Sequence, residues 1–244
     1  MEKTLIQISD TRIFSINFDF TSGEQNKILQ HLQTNVYKLM GYKGATGSHQ
    51  ITSGVPAWFA IDYSSMFGLV DIDYKPEYKV YVFNKSVIAA NTTIQMQALS
   101  QEIPLGTAVS FHPDGSFSIR GTAPEGVIIV RNERALDTPD LTVGLAARVN
   151  GQFLPFCAFT SMAQRQVSIE PNENIVLFAA QTSMREGYVT SNTIAQGCEC
   201  MFSDKNTKYD LQMIRGTYGI TNAPGGTLVD KISSGQSLIQ LFNK

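Results

Sequence analysis

From Ala57 to Phe202 the sequence is a succession of short apolar or alternating runs, each closed by glycine, proline, asparagine or aspartate. The runs fall at 57–63, 68–74, 78–83, 92–99, 108–112, 116–119, 126–130, 141–149, 153–159, 166–169, 175–180 and 194–202. Short, closely spaced strand patterns with no helical stretches between them cannot build βαβ units. They predict a mainly β fold, an antiparallel β-sandwich of many short strands. Two turns pin strand pairs. Asn150-Gly151 separates two apolar runs, and both positions of a two-residue type I′ hairpin turn need positive φ, which Asn and Gly accept. Pro113-Asp114-Gly115 is the second turn, with proline presetting φ and glycine supplying the return.

The N-terminal part reads differently. Phe14, Ile16, Phe18 and Phe20 alternate with mostly polar neighbours, the period of a half-buried strand. A capping-box pattern over residues 21–25 then precedes Ile28, Leu29, Leu32, Val36 and Met40 at helical spacing, which predicts one amphipathic helix over about 24–40, stopped by Gly41. Residues 41–54 turn to Gly, Ser, Thr, Lys and His and are expected as a loop. The expected organisation is therefore residues 1–54, an N-terminal strand, helix and Gly-rich loop, packed on a sandwich body of residues 55–244, together one compact unit.

Charge narrows the partners. Lys and Arg number 19 against 21 Asp and Glu, and only 16% of residues are charged, so the basic excess that neutralises nucleic-acid phosphates is missing. Hydrophobic residues at 43% exclude a disordered chain. No run of about 18 apolar residues occurs, so no transmembrane segment is expected. The start, Met1-Glu2-Lys3-Thr4-Leu5-Ile6-Gln7-Ile8, breaks into polar residues before a signal-peptide core could form. Synthesis in the cytoplasm without a recognisable signal peptide is the expectation, compatible with later release. Cys157, Cys198 and Cys200 are too few for a disulfide framework; Cys198 and Cys200 are expected to face one core.

A weak internal echo is visible. Ser65-Met66, Val70-Asp71-Ile72, Pro76, Val80–Phe83 and Asn91–Gln95 are matched in order by Ser161-Met162, Val167-Ser168-Ile169, Pro171, Ile175–Phe178 and Ser191–Gln196. Each copy reads as strand, proline turn, strand, loop, strand, and two such units could form symmetric halves of a sandwich.

No motif fixes a reaction. The glycines of Gly41–Ser48 follow a helix and the lysine is misplaced for a phosphate-binding loop. Cys198-Glu199-Cys200 lacks partners for zinc, and His31, His49 and His112 show no ligand spacing and are read as structural or solvated. Asp71 and Asp73 share a solvated strand face but supply too few oxygens for calcium. Neither a metal nor another cofactor is expected, and catalysis has no positive evidence. The richest feature is the aromatic run Trp58, Phe59, Tyr63, Phe67, Tyr74, Tyr78, Tyr81 and Phe83. Strand neighbours at odd spacing point to opposite faces, so some of these rings should reach the surface, where Tyr and Trp suit glycan stacking or lipid headgroups. Trp58, Tyr63, Tyr78 and Tyr81 are the expected ligand-binding residues, with Tyr74 inward. The expected function is a non-enzymatic binding protein recognising a glycan or lipid surface, of lectin-like or cytolytic-toxin type by fold-level analogy. The alternative is a structural subunit of a homo-oligomeric shell, tube or inclusion, motivated by low charge and abundant strand edges.

Overall fold

The computed structural model describes residues 12–243, so the expectation about the leading Met1–Ile8 lies outside the described residues. In chain order the elements of the first half are β1 (Phe14–Asp19), α1 (Gly23–Thr34), β2 (Tyr37–Gly47), β3 (Val55–Pro56), β4 (Phe59–Asp62), a 3-10 turn (Tyr63–Ser65), β5 (Leu69–Phe83), β6 (Ala98–Glu102), β7 (Thr107–Phe111) and β8 (Phe117–Thr122). The second half has β9 (Ile128–Asn132), β10 (Leu141–Val149), β11 (Gln152–Pro155), β12 (Phe159–Ser161), β13 (Gln166–Gln181), β14 (Val189–Thr190), β15 (Gly197–Met201), β16 (Lys208–Met213) and β17 (Ile220–Asn222). β18 (Asp230–Ile232) and the short α2 (Leu238–Phe242) end the chain. Strands make up 50% and helices 9%, so the fold is mainly β, with two large sheets packed against each other.

One sheet runs β11-β10-β5-β1-β16-β17 and the other β18-β15-β13-β9-β7-β8, with β12 and β6 joining the first and β2 and β4 the second. Ile16, Ile72, Val80 and Leu145 from one sheet meet Val109, Val130, Ile169 and Leu177 from the other in a shared core. The strands are not all antiparallel, nor all short. β1 lies parallel to β16 and β7 parallel to β9. The separate runs expected at 68–74 and 78–83 are one 15-residue strand, and those at 166–169 and 175–180 are one of 16 residues. Pro76 and Pro171 sit inside them, not in turns, at places where the register to a neighbour slips. A proline has no N–H to give a ladder, and a bulge is where a strand tolerates that loss.

The sequence echo has a counterpart in the pairing. β1, β2, β4, β5, β6, β7 and β8 correspond in order to β9, β10, β12, β13, β15, β16 and β17. β1–β5, β2–β4, β5–β6 and β7–β8 are matched by β9–β13, β10–β12, β13–β15 and β16–β17. The contacts between halves match too: β2 pairs with β13 as β10 pairs with β5, and β7 lies beside β9 as β16 lies beside β1. Each half thus contributes strands to both sheets. The main departure is α1, inserted after β1 where the second half has only an irregular connection.

α1 starts as the sequence predicts, with the Ser22 hydroxyl accepting from Gln25 N–H at 3.3 Å and with Ile28, Leu29 and Leu32 buried. It ends at Thr34, not near residue 40, and residues 41–47, expected as loop, are the second part of β2. β2 buries both faces: Leu39 and Ala45 enter the main core, while Met40 and Tyr42 enter a second cluster on the outer side with Phe178, Leu238 and Phe242. A strand covered on both sides shows no alternation, so its apolar residues imitate a helical stripe. Gly41 serves packing here. A Cβ at this position would lie 2.3 Å from the Phe59 ring. The corner between α1 and β2 is held by Val36 at φ 55°, and a β-branched residue is strained in that left-handed region. Val36 is exposed. Val36→Gly should therefore raise the unfolding free energy by about 1 kcal/mol in urea titration, despite the greater freedom of the unfolded chain.

The Asn150-Gly151 hairpin joins β10 and β11 with Val149 opposite Gln152, and the two turn residues have φ of 47° and 80°. Pro113-Asp114-Gly115 joins β7 and β8. All three cysteines are free and buried, with Cys198 and Cys200 together in the main core as expected.

Candidate functional site

All four residues expected to meet a ligand are enclosed. Trp58, Tyr63, Tyr78 and Tyr81 are each at most 1% exposed, and Tyr74 is inward as expected. Of the eight aromatic residues in that run only Phe67 reaches the surface, at 71% exposure. The one-faced-sheet premise fails for two reasons. Trp58 precedes β4, so its ring turns inward independently of Phe59, with its indole N–H donating to the Ala147 carbonyl at 3.2 Å and its ring edge-on to Tyr74. Tyr81 does point to the outer face of its sheet, but that face is covered: Ile51, Ile88, Ile94 and Val189 close over it, and its hydroxyl donates to the Cys157 carbonyl at 2.7 Å.

Two of these tyrosines belong to a polar network between the sheets. Tyr74 and Tyr78 flank the Pro76 bend of β5, their hydroxyls 2.9 Å apart, and Tyr78 donates to Glu173 Oε1 at 2.8 Å. Glu173 lies in the irregular stretch of β13 after Pro171, and its Oε2 accepts from Lys43 Nζ of β2 at 2.8 Å. The ammonium also donates to the Asn172 carbonyl and lies 4.6 Å from the centroid of the Tyr74 ring. Burial pulls the Lys43 pKa below its ordinary value, opposed by Glu173. For Glu173 burial alone would raise the pKa, but Lys43 and the two hydroxyls overrule it and hold the carboxyl below the usual range. The β5 bend carries a matching pair, Arg148 Nη1 donating to Glu77 Oε2 at 2.8 Å. Beside each bulge a cation thus pairs with a glutamate of the irregular stretch, and Lys43 also meets the Asn172 carbonyl there. Burial pushes the Cys157 thiol up to about 12, partly countered by the Leu145 N–H and Lys43, so it is a neutral thiol and not a nucleophile. Lys43, Tyr74, Tyr78 and Cys157 are closed to solvent while Asn172 and Glu173 are half-buried, and the network reads as internal structure.

Open space large enough for a ligand lies at α1. A groove of about 440 Å³ runs between the helix and the turn joining β16 to β17. Glu24, Lys27 and His31 line it from the helix, Ile28 contributes to it beneath, and Arg215, Gly216 and Tyr218 line it from the turn. The helix is docked here because the Gln25 side chain bonds both the N–H and the carbonyl of Met213, at 3.0 and 2.9 Å, as a neighbouring strand would. The turn is tied at its base by Ile214 N–H to the Gly219 carbonyl and by Tyr218 N–H to the Ile214 carbonyl. That closure holds Tyr218 at φ 54°. Its ring stacks on His31 at 4.5 Å between centroids and 9° between planes, with Tyr37 tilted against it at 5.7 Å. One wall is therefore aromatic, and the charged groups around it are Lys27, Arg215 and Glu24, with His31 able to add a positive charge when protonated.

Sequence reasoning placed no strand at 208–213 or 220–222, and so had no turn to set against the helix. The alternation of Tyr209, Leu211 and Met213 with polar neighbours is the signal that marks β16. Asp71 and Asp73 are exposed, and no group of three or more potential metal ligands occurs among the described residues. No helix among the described residues is long and apolar enough to cross a membrane. Comparison of the chain with known protein families, curated proteins and solved structures found no match.

Proposed function

We infer that the protein is a binding protein recognising an anionic group, phosphate, sulfate or carboxylate, carried by a glycan or a lipid headgroup, and that the α1 groove receives it. The carrying observation is the groove itself: its volume suits a sugar unit or headgroup, and it combines an aromatic wall with Lys27 and Arg215 on opposite sides. Strained backbone held by its surroundings, as at Tyr218, is a recurring property of ligand sites. A lipid source has further support in Phe67 and Leu69, 71% and 70% exposed around Gly68, an apolar tip of the kind that enters a headgroup layer.

The test is binding to a glycan array and to vesicles with and without anionic lipid, using Arg215→Ala and Tyr218→Ala beside the wild type. Both variants should weaken binding by about tenfold or more, the loss of one charge-assisted contact or one stacked ring, with melting temperatures within a few degrees. Unchanged binding in both would sink the reading. Dye release from loaded vesicles separates a cytolysin from a lectin-type binder. The homo-oligomer alternative rests on β8, an edge strand whose Ile119 is 55% exposed, and native mass measurement decides it.

A further inference from the structure

Beside the turn of the β7–β8 hairpin, three side chains stand in the relation of nucleophile, base and orienting acid. Ser118 Oγ lies 2.7 Å from His112 Nε2, and His112 Nδ1 lies 3.0 Å from Glu133 Oε2. The other oxygen of Glu133 is occupied, accepting from Ser110 Oγ at 2.7 Å and from Arg120 Nη1 at 3.3 Å. The hydrogen bond from Ser110 foremost, with the charges of Arg120 and Arg131, keeps the Glu133 carboxyl below its usual range, so it is ionised at neutral pH. An ionised carboxylate at Nδ1 selects the tautomer with hydrogen there and leaves the Nε2 lone pair to accept the Ser118 proton.

We propose that Ser118, His112 and Glu133 form an acyl-transfer centre that hydrolyses carboxylic esters, a chemistry separate from binding in the α1 groove. The arrangement follows from the fold. His112 directly follows β7 and Ser118, on β8, lies opposite Ser110 of β7, while Glu133 directly follows β9, the parallel neighbour of β7. β8 and β9 flank β7, so Ser118 and Glu133 approach the imidazole from either side. Arg120 lies at the bulge of β8 and reaches back to Glu133 Oε1, which brings its guanidinium to the side of the hairpin that carries the imidazole, where it can oppose negative charge on a carbonyl oxygen.

In the reaction Ser118 Oγ bonds to the ester carbonyl carbon as its proton passes to His112 Nε2. The carbon–alkoxide bond then breaks, and the alcohol leaves with that proton. Water next adds to the acyl-serine, giving a proton to His112; the Oγ–carbon bond breaks, Ser118 regains its proton and the carboxylic acid departs. Ser118 is exposed and His112 half-buried on an open strand surface, so the substrate is a small or surface-displayed ester rather than one enclosed in a pocket.

The experiment is covalent labelling with a fluorophosphonate probe, located by peptide mass spectrometry, together with hydrolysis of p-nitrophenyl acetate. Wild type should carry one adduct, on Ser118, and His112→Gln should slow its formation by about 100-fold or more, the usual contribution of a general base. Ser118→Ala should abolish both adduct and hydrolysis without moving the melting temperature, because the side chain is exposed. Glu133→Gln should alter the pH dependence of labelling, a readout that a purely structural bond would leave alone. No adduct on Ser118 of the wild type, or one formed equally fast in His112→Gln, would overturn the proposal and reduce the three side chains to a clasp across the hairpin. Neither result bears on the groove, because Arg215 and Tyr218 are unchanged in every variant.

Discussion

Trp58→Ala should lower the unfolding free energy by about 3–5 kcal/mol, the range for emptying an aromatic side chain from a core. Its ring is fully buried against Phe59 and Tyr74, and its N–H satisfies the Ala147 carbonyl, which the variant would leave without that donor. Urea unfolding followed by circular dichroism measures the loss. A melting temperature within a few degrees of wild type would contradict the burial described here. Any loss of ligand binding in this variant should track the unfolded fraction and not the ligand, which distinguishes it from Arg215→Ala at the groove.

Glu173→Gln should cost about 3 kcal/mol, whereas Lys43→Met should cost less than half of that. The asymmetry follows from exposure. Lys43 is 0% exposed and has nowhere to take its charge when the carboxylate is removed, while Glu173 keeps 26% exposure and the Tyr78 hydroxyl when the ammonium is removed. The pair also has a pH signature. The folded pKa of Glu173 lies below the ordinary 4.5, so as pH falls through 4.5 the unfolded chain binds the proton first. Stability from this carboxylate is complete above that value and is lost as pH falls toward the folded pKa. The gap between wild type and Glu173→Gln should therefore be constant near neutrality and narrow as pH falls below 4.5, as read by urea midpoints between pH 7 and pH 3. A gap as large at pH 3 as at pH 7 would mean that the folded carboxyl is not held below its ordinary range.

Alternation made Phe14–Phe20 legible as a strand with one covered face. Leu141–Val149 is buried on both faces and was legible through its Asn-Gly turn and its apolar run. β2 was not legible, because Leu39 and Met40 enter different clusters and erase the period. Covered faces also hide where a ligand could reach. Alternation shows which face of a strand a ring occupies but not what lies over that face, and the residues covering Tyr81, such as Ile51 and Val189, lie far from it in the chain. Of the groove, the helix was expected and His31 was placed on it. Tyr218 and Arg215 were out of reach, since nothing local shows that their turn comes to rest beside α1.

The crossing of strands between the halves bears on the order in which the chain is made. When residues 14–122 have been synthesised, β2 has neither β13 beside it nor α2 over its outer face, and β5 lacks β10 along its upper half. Neither sheet can close before Gln181 has left the ribosome, and β1 waits longer still for β16. The nascent first half is therefore an unfinished body with long apolar strand edges, the form in which strands pair with the wrong neighbour. Selection for folding should then act on that interval, favouring polar or irregular cover for these edges and holding by chaperones until the second half arrives.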